Sequence, residues 1–303
     1  MLRRYIIGFF LLAPAEIGFG LPFVTGSVLT QRYGISPEVL SFLRFAIAGG
    51  IMLAVGCASA QSRTALFSPT RRDWLELLWL APVGTSVMAW CVFIGCSRVS
   101  VANASMADAL TPLMIFTVSA ILSLRISLGE LAGLGSGFVG ALLVVQVVNR
   151  HGLALDAYSL GDFFILLSAA TWGVYTVCGR RLVKKLGSAA FTTLTMLMGA
   201  AMIGAVLPFV RSTWPQDAET WGLTATLALL STLMPFWSWN AAQKYLPISV
   251  ISVSAYFAPV VAMGLGVLLL GEPVTGLQWL GTAFIVASAT VETGRQRKRP
   301  QTA

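Results

Sequence analysis

The sequence predicts an all-α integral membrane protein of ten transmembrane helices, arranged as two inverted five-helix repeats. Three observations predict this class. The 303 residues are 56% hydrophobic and only 11% charged, which leaves too little polar surface for a soluble domain of this size. Apolar runs long enough to cross a bilayer recur along the chain. Residues of the first half also return at fixed spacing in the second half.

Ten apolar runs of about twenty residues can be drawn in chain order. The first run follows Arg3 and Arg4 and could be taken for a signal peptide. Its counterpart in the second half is a full-length apolar run, so we expect a retained membrane helix. The ten runs are 5–29, 37–58, 74–95, 101–124, 130–148, 160–179, 188–210, 220–241, 248–270 and 277–292.

Matched residues divide the chain near residue 150. An offset of 147 residues pairs Pro112 with Pro259 and Trp90 with Trp237, and an offset of 153 pairs three glycines, beginning with Gly20 and Gly173. We assign residues 1–150 to the first repeat, 151–294 to the second, and 295–303 to a basic cytoplasmic tail. Because five is an odd number, the second repeat must start from the opposite side of the membrane. Inverted repeats of this kind recur in secondary transporters.

The basic residues predict the orientation of the chain. With the N-terminus inside, fifteen Lys and Arg lie on the inner side and four lie outside, at Arg32, Arg98, Arg150 and Arg211. Inner loops carry the excess of positive charge in membrane proteins. We therefore expect a multi-pass protein of the plasma (inner) membrane with both ends cytoplasmic. The tail after residue 294 is expected to contact anionic lipid and to anchor this topology.

Proline and glycine indicate where membrane helices are broken. Proline removes one backbone donor, so a carbonyl one turn earlier loses its partner. A lone proline is more often a tolerated kink, but Pro112 and Pro259 stand out because they match across the repeat. The candidate breaks are Pro14 with Gly18 to Pro22, Pro82 with Gly84, Pro112, Pro235 and Pro259.

Three ionisable residues, Glu16, Arg44 and Asp108, lie at membrane depth, well away from the ends of their apolar runs. A charge at membrane depth costs about 2.5–3.5 kcal/mol, so such residues pair, titrate or face the protein interior. Arg44 and Asp108 lie at the same depth, about 10 Å from the outer face. They could form a structural ion pair or bind substrate directly. Glu16 is a candidate proton carrier or ammonium ligand; alternatively it stays protonated and bonds a carbonyl freed by a proline.

Internal aromatic residues are candidates for the wall of a small-molecule pocket, because such pockets combine apolar surface with a few polar groups. Ordinary helix packing is the alternative for each of them. Trp90 and Trp237 are favoured because they are repeat mates, each preceding a matched proline. The full set is Trp90, Trp172, Tyr175, Trp237, Trp239 and Tyr256, with Asn240 as a polar partner.

The smaller motifs predict no metal site and no dedicated oligomer interface. Four cysteines lie in or beside apolar runs without metal-ligand spacing, which predicts packed free thiols. Gly129, Gly133 and Gly137 recur every fourth residue and allow close helix approach. Internal packing explains them better than a dimer interface, so we expect a monomer, with a dimer as the alternative.

Three stretches carry a resemblance to a known family. They are LSFLRFAIAGG in the second run, GDFFILLSAATWGVYTVCGRRL at the start of the second half, and AYFAPVVAMGLGVLLLGEPVTGLQWLG near the end. In these stretches, and over nearly its whole length, the chain resembles the EamA-type transporters of the drug/metabolite transporter superfamily. The resemblance implies a central cavity lined by helices one, three, four, six, eight and nine. It also implies export of amino acids, other metabolites or amphipathic compounds by alternating access.

The chain departs from the family pattern at two places. Acids occur at Glu16 and Asp108 where neutral residues are expected, and the Gly271-Glu272 corner has no counterpart after Leu124. Because of these departures, the coupling mechanism of the family is less transferable to this chain than the fold of the family. Drug efflux and facilitated diffusion by the same fold therefore stay open as alternatives.

Two other classes of function fit the residues less well. An enzyme would need a catalytic set, but the chain has one histidine, His151 in an outer loop, and no metal-ligand or P-loop motif. A scaffold would not need Glu16 and Asp108 at membrane depth. We expect a transporter without a cofactor, whose partners are a small-molecule substrate, the lipid bilayer and, as candidate coupling ion, the proton. The net charge of +8 is explained by topology rather than by nucleic acid.

Overall fold

A computed structural model of the chain is helical over nearly all of the residues that it describes. These are residues 2–58, 60–99, 104, 107–123, 128–144, 148–149, 152–153, 160–258, 260–261 and 274–298. Within them, five helices are long and apolar enough to cross a membrane: Arg3–Arg32, Pro37–Ala58, Arg71–Cys96, Leu160–Leu186 and Ser188–Phe209. Three shorter apolar helices are Thr111–Leu122, Leu131–Leu143 and Gly276–Val291. The all-α membrane class is confirmed, whereas the count of ten spans stays a prediction.

Among the residues that the structure describes, the first half of the chain has seven helices followed by a short hairpin. The helices are α1 (Leu2–Ser27), α2 (Pro37–Ala58), α3 (Ala60–Leu66), α4 (Arg71–Ala81), α5 (Met88–Cys96), α6 (Thr111–Ser123) and α7 (Leu128–Val144). The hairpin pairs β1 (Val148–Asn149) antiparallel with β2 (Gly152–Leu153). A π-helical turn at Val28–Arg32 extends α1, and another at Pro82–Val87 joins α4 to α5 without a break.

The described part of the second half has six helices. They are α8 (Leu160–Leu186), α9 (Ser188–Val206), α10 (Ala218–Ala228), α11 (Met234–Ala242), α12 (Ile248–Ser254) and α13 (Gly276–Lys298). A short 3-10 turn at Leu207–Phe209 ends α9, and a π-helical turn at Leu229–Leu233 joins α10 to α11.

The helical irregularities recur at the spacing of the sequence repeat. The π-helical turns at Pro82–Val87 and Leu229–Leu233 begin 147 residues apart. Turns at residues 109–110 and 255–256 interrupt the fourth and ninth runs at nearly the same spacing, one residue shorter. The predicted interruption near Pro112 is therefore present, and Pro112 is the second residue of α6. Pro259 and the Gly271-Glu272 corner lie outside the described residues.

The first helix corrects one prediction, because α1 runs through Pro14 and Pro22 without a break. Close packing against the neighbouring helices explains its continuity. An added Cβ at Gly18 would meet the carbonyl oxygen of Leu230 at 2.6 Å and the ring of Pro235 at 2.8 Å. A helix held this closely keeps its course although each proline removes one backbone bond.

Pairs of long helices form the body of the molecule. In it α2 packs on α9, α1 on α11, α5 and α6 on α8, and α7 along α13. The glycine face of α7 serves the last of these contacts, since an added Cβ at Gly140 would meet the Gly281 carbonyl oxygen at 2.6 Å. This is the internal packing that the glycine spacing predicts.

Ion pairs join the two halves at the predicted cytoplasmic side. Arg181 of α8 contacts Asp73 of α4 at 2.8 Å and also pairs with Glu76. Lys185 contacts the other oxygen of Asp73 at 2.5 Å. Arg4 reinforces the same side by donating to the carbonyl of Lys244 at 2.9 Å. These contacts join the two halves of the chain at this end of the molecule.

Candidate functional site

A small cavity of about 70 Å³ lies among residues from both halves of the chain. Side chains of α1, α2, α5, α8 and α11 line it, together with the two interrupted segments near residues 108–111 and 255–258. All three intramembrane ionisable residues, Glu16, Arg44 and Asp108, face this one space. We call it the central cavity.

Arg44 is the most deeply buried charged side chain at the cavity, with 1% of its surface exposed. Its Nε donates to the Thr232 hydroxyl at 2.8 Å, and its Nη2 donates to the Ser231 carbonyl at 3.3 Å. Both acceptors belong to the π-helical turn after α10, where a widened turn shifts carbonyls away from their usual helical partners. The guanidinium also lies 5.0 Å from the Phe45 ring centroid. Its Nη1 has no hydrogen-bond partner.

Glu16 is buried in the same cavity, with 4% of its surface exposed. Its Oε1 accepts a hydrogen bond of 3.3 Å from the Ser254 hydroxyl, while Oε2 has no partner. A buried carboxyl oxygen without a partner is costly, as is a buried guanidinium nitrogen. The central cavity thus has one unpaired acceptor and one unpaired donor of opposite charge on its walls.

Asp108 does not pair with Arg44, so the structural ion pair, one of the two alternatives for these residues, is not formed. The ion pairs of the described residues involve neither side chain. Asp108 instead accepts a hydrogen bond of 2.9 Å from the Thr111 hydroxyl. The turn before Pro112 places the carboxyl beside Thr111, while Arg44 is held by the π-helical turn of the second half. Although Arg44 and Asp108 were predicted at the same depth in the membrane, they do not form an ion pair.

Aromatic rings form the apolar wall of the cavity. Trp172 lies at the centre, with ring centroids 5.1 Å from Phe19, 4.9 Å from Phe236 and 5.7 Å from Trp239. Most of these pairs meet edge to face, which is a favourable arrangement for aromatic rings. Trp239 is held further by its Nε1, which donates to the Thr176 hydroxyl at 3.2 Å.

Tyr175 and Asn240 lie behind this wall rather than on it. Tyr175 stacks on Trp172 at 5.2 Å and is fully buried. Asn240 donates to the Tyr175 hydroxyl at 3.0 Å and to the Thr192 hydroxyl at 2.9 Å, and its own oxygen accepts from Gln243. Because these groups bond one another, they fix the wall and are not among the residues lining the cavity.

The structure places the other predicted site residues away from the central cavity. Trp237 is 39% exposed and lines a separate groove beside α2 and α9. It lies there because it projects from the face of α11 opposite to Trp239. Trp90 is half-buried and is not among the lining residues. Tyr256 is fully buried and donates to the Leu134 carbonyl at 3.2 Å, within the packing between α7 and α12. Pro112 is buried next to the lining residue Thr111, and Pro259 lies outside the described residues.

Residues at the repeat spacing meet across the cavity. Phe19 and Trp172, which are 153 residues apart, both line it, as do Glu16 and Ala169. At the spacing of 147 the lining pairs are Asp108 with Ala255, Thr111 with Ala258, and Val92 with Trp239. The acids and the threonine come from the first half, and their mates in the second half are alanines. The same spacing would have identified Phe19 from Trp172, whereas no sequence signal singled out Phe236.

An all-helical membrane fold around a buried, charged cavity is the architecture of a multi-pass membrane transporter. The sequence model of the EamA-like transporter family matches residues 6–146 and again residues 159–292. The chain therefore belongs to the EamA-like transporter family.

Several relatives and one solved structure are similar over most of the chain. The uncharacterized transporter YyaM of Bacillus subtilis is 25% identical, covering 86% of this chain and 85% of that protein. The aromatic amino acid exporter YddG of Ancylobacter novellus is 26% identical, covering 86% and 88%. A probable terminal-alkyne amino-acid exporter of Streptantibioticus cattleyicolor is 24% identical, covering 84% and 82%. A crystal structure with 22% identity covers 98% of this chain and 99% of its own, with a TM-score of 0.75, and it shows the same fold.

Proposed function

We propose that this transporter exports zwitterionic amino acids through the central cavity by alternating access. One observation carries the proposal: Arg44 and Glu16, whose ionised forms have opposite charge, line one cavity, do not pair with each other, and each keep one polar atom unpaired. Two buried charges left apart cost free energy unless a third group joins them. An α-amino acid supplies that group, with its carboxylate at Arg44 Nη1 and its ammonium at Glu16 Oε2.

The cavity walls suit the side chain of such a substrate. Phe19, Trp172, Phe236 and Trp239 offer an apolar, aromatic surface beside the charged groups. The volume of about 70 Å³ is small against the roughly 300–1,000 Å³ of ordinary small-molecule sites. The cavity must therefore widen when substrate binds, and opening of the ion-paired cytoplasmic side would supply that movement.

The names of two relatives support the same class of substrate. One is an aromatic amino acid exporter and another is a probable amino-acid exporter, although both are only distantly similar. Drug efflux remains the second candidate of this fold, because the aromatic wall would also hold an apolar cation. Such a cation would need Glu16 but not Arg44.

Proton coupling and orientation complete the proposal. Glu16 lies between packed helices near mid-span and can exchange a proton for the substrate ammonium, with Asp108 as a second acid on the same cavity. The charge bias places both chain ends in the cytoplasm of the cell. Export then uses the inward proton gradient.

Counterflow of labelled phenylalanine in proteoliposomes tests the proposed function. The wild-type protein should exchange phenylalanine well above protein-free vesicles, and an imposed pH gradient should drive accumulation. Glu16→Gln should lose the response to the pH gradient while the protein still inserts and folds. Exchange no faster than in empty vesicles for any amino acid, with retained transport of an apolar cation, would replace this proposal with drug efflux.

A further inference from the structure

A second, larger space touches Glu16 from the other side. It is a groove of about 610 Å³ between α1, the segment after α12, and α13. We call it the lateral groove; its walls include Phe9, Ile17, Phe257, Val286 and Ala289. Glu16 is the only ionisable residue among the described residues that line it.

The lateral groove opens toward the surroundings of the molecule. Ile17 is 45% exposed and Val286 is 46% exposed, although both belong to predicted membrane spans. In a bilayer, side chains exposed at this depth contact lipid. The lining residues run from mid-span toward the chain ends, from Ile17 to Phe9 in α1 and from Val286 to Thr290 in α13. The charge bias therefore places the groove between the bilayer centre and the cytoplasmic face.

Glu16 lies between the two spaces, since it lines both the central cavity and the lateral groove. Arg44, Asp108 and the aromatic rings line the central cavity alone. A molecule in the lateral groove therefore meets mostly apolar walls, the hydroxyl groups of Ser254 and Thr290, and one carboxyl group, that of Glu16. The complementary molecule has an apolar tail and a single cationic head.

We propose that the lateral groove admits amphipathic amines from the cytoplasmic leaflet and delivers their cationic head to Glu16. This inference rests on the proposed function in one respect, the binding of an ammonium group by Glu16. It adds a second route to that group: zwitterions reach it from water through the central cavity, and amphipathic amines reach it from the lipid. A lipid acyl chain would fill the groove equally well but has no use for the carboxyl.

Photolabelling in proteoliposomes tests the lateral route. The probes are an alkyltrimethylammonium ion with a diazirine at the end of its tail and a neutral alcohol with the same tail. Mass spectrometry of the labelled protein should find the cation on peptides with Phe257 and Val286 at about fivefold the yield of the alcohol, because the trimethylammonium head is attracted to the Glu16 carboxylate by charge but donates no hydrogen bond. Glu16→Gln should lower the cation to the yield of the alcohol.

A matched pair of tryptophan variants on α13 tests the path itself. Ala289→Trp fills the groove and should reduce both labelling and transport of the cation, while phenylalanine counterflow stays at the wild-type rate. Ala287→Trp places the same bulk on an exposed position of the helix outside the groove walls and should change neither.

Equal labelling by cation and alcohol in the wild-type protein would overturn the inference and leave an ordinary lipid crevice. A cation preference that persists in Glu16→Gln would overturn it as well. If phenylalanine counterflow persists in either case, only the lateral route fails and the proposed function stands. If counterflow is absent while the cation preference depends on Glu16, the proposed function fails and the lateral route stands.

Discussion

Glu16 and Arg44 are buried side chains that the fold satisfies only in part. Arg44 donates two hydrogen bonds to the π-helical turn of the second half, and one oxygen of Glu16 accepts a hydrogen bond from Ser254. Arg44 Nη1 and Glu16 Oε2 are buried without a hydrogen-bond partner, on residues that line the central cavity. Unpaired buried polar groups cost free energy. They therefore lower the stability of the folded protein, and a substrate with both charges restores that stability when it binds.

Depth in the membrane was predictable for these residues from the sequence, but contact was not. Counting residues places Arg44 and Asp108 at one depth, yet the partner of Arg44 is decided by the π-helical turn at Leu229–Leu233. Pro235, one of the predicted candidate breaks, frees the Ser231 carbonyl four residues earlier, but the sequence does not show that Arg44 donates to it. Trp237 was favoured by its repeat mate, but pairing in sequence does not say which face of α11 meets the cavity.

One prediction at this scale concerns the cap of α10, outside the spans. Asp217 accepts the backbone N–H of Thr220 at 2.8 Å, and this bond, with the Thr220 hydroxyl, lowers the pKa of Asp217 below its ordinary value of 3.8. A lowered folded-state pKa adds stability that is complete above the ordinary value and is lost as pH falls through the folded-state value. Asp217→Asn keeps a capping side chain but cannot titrate.

The wild-type protein should therefore unfold at a higher temperature than Asp217→Asn at about pH 6, and this advantage should shrink below about pH 4. Thermal unfolding in detergent, followed by tryptophan fluorescence, measures the difference. A gap between the two proteins that is independent of pH would show that the Asp217 charge does not contribute to the cap.

At the scale of elements, the interruptions of the helices are the features that build the site. The π-helical turn after α10 supplies the acceptors for Arg44, and the turns at residues 109–110 and 255–256 bring Asp108, Thr111 and Ala255 to the cavity. The matched prolines predicted the interruption near Pro112. They did not predict that α1 stays continuous, because close packing at Gly18 outweighs the effect of Pro14 and Pro22.

Thr232→Val tests the π-helical turn. The hydroxyl of Thr232 accepts from Arg44 Nε and donates to the Leu227 carbonyl at 2.9 Å. Valine keeps the shape but leaves a buried guanidinium donor unpaired, which should lower the free energy of unfolding by about 1–3 kcal/mol. The matched control is Thr226→Val in α10, whose hydroxyl bonds only the Gly222 carbonyl and whose loss should cost under about 0.5 kcal/mol.

Chemical denaturation in detergent gives both values. Equal destabilisation by the two variants would mean that the contact between Arg44 and Thr232 contributes little to the fold.

At the scale of the whole molecule, the sequence predicted the membrane class, the family and the approximate position of most spans. These properties follow from composition, run length and repeated motifs, which are visible without contacts. Lining residues such as Phe236 and the division of Glu16 between two spaces depend on how helices rotate about their axes. Apolar residues lie on all sides of these helices, so no single apolar face predicts how each helix is rotated about its axis.

The charge bias makes a direct prediction about topology. Reporter fusions after Arg150 should be active only outside the cytoplasm, and fusions after Arg299 only inside, because fifteen of the basic residues lie on one predicted side. A fusion after Arg72 serves as an internal control and should report the inside. If Arg150 and Arg299 fusions report the same side, the two inverted five-helix repeats are wrong.

The central claim is that Arg44 holds a substrate carboxylate and Glu16 a substrate ammonium. Its most direct measurement is counterflow inhibition by phenylalanine, phenylalanine amide and the des-amino acid, in the wild-type protein, Arg44→Gln and Glu16→Gln. Losing one charge-assisted contact should weaken inhibition roughly tenfold or more. The account predicts that phenylalanine amide, which lacks the carboxylate, inhibits the wild-type protein weakly and inhibits Arg44→Gln no more weakly. It also predicts that the des-amino acid, which lacks the ammonium, inhibits the wild-type protein weakly and inhibits Glu16→Gln no more weakly. If each variant instead weakened all three compounds by the same factor, the two residues would not contact these groups and the claim would be contradicted.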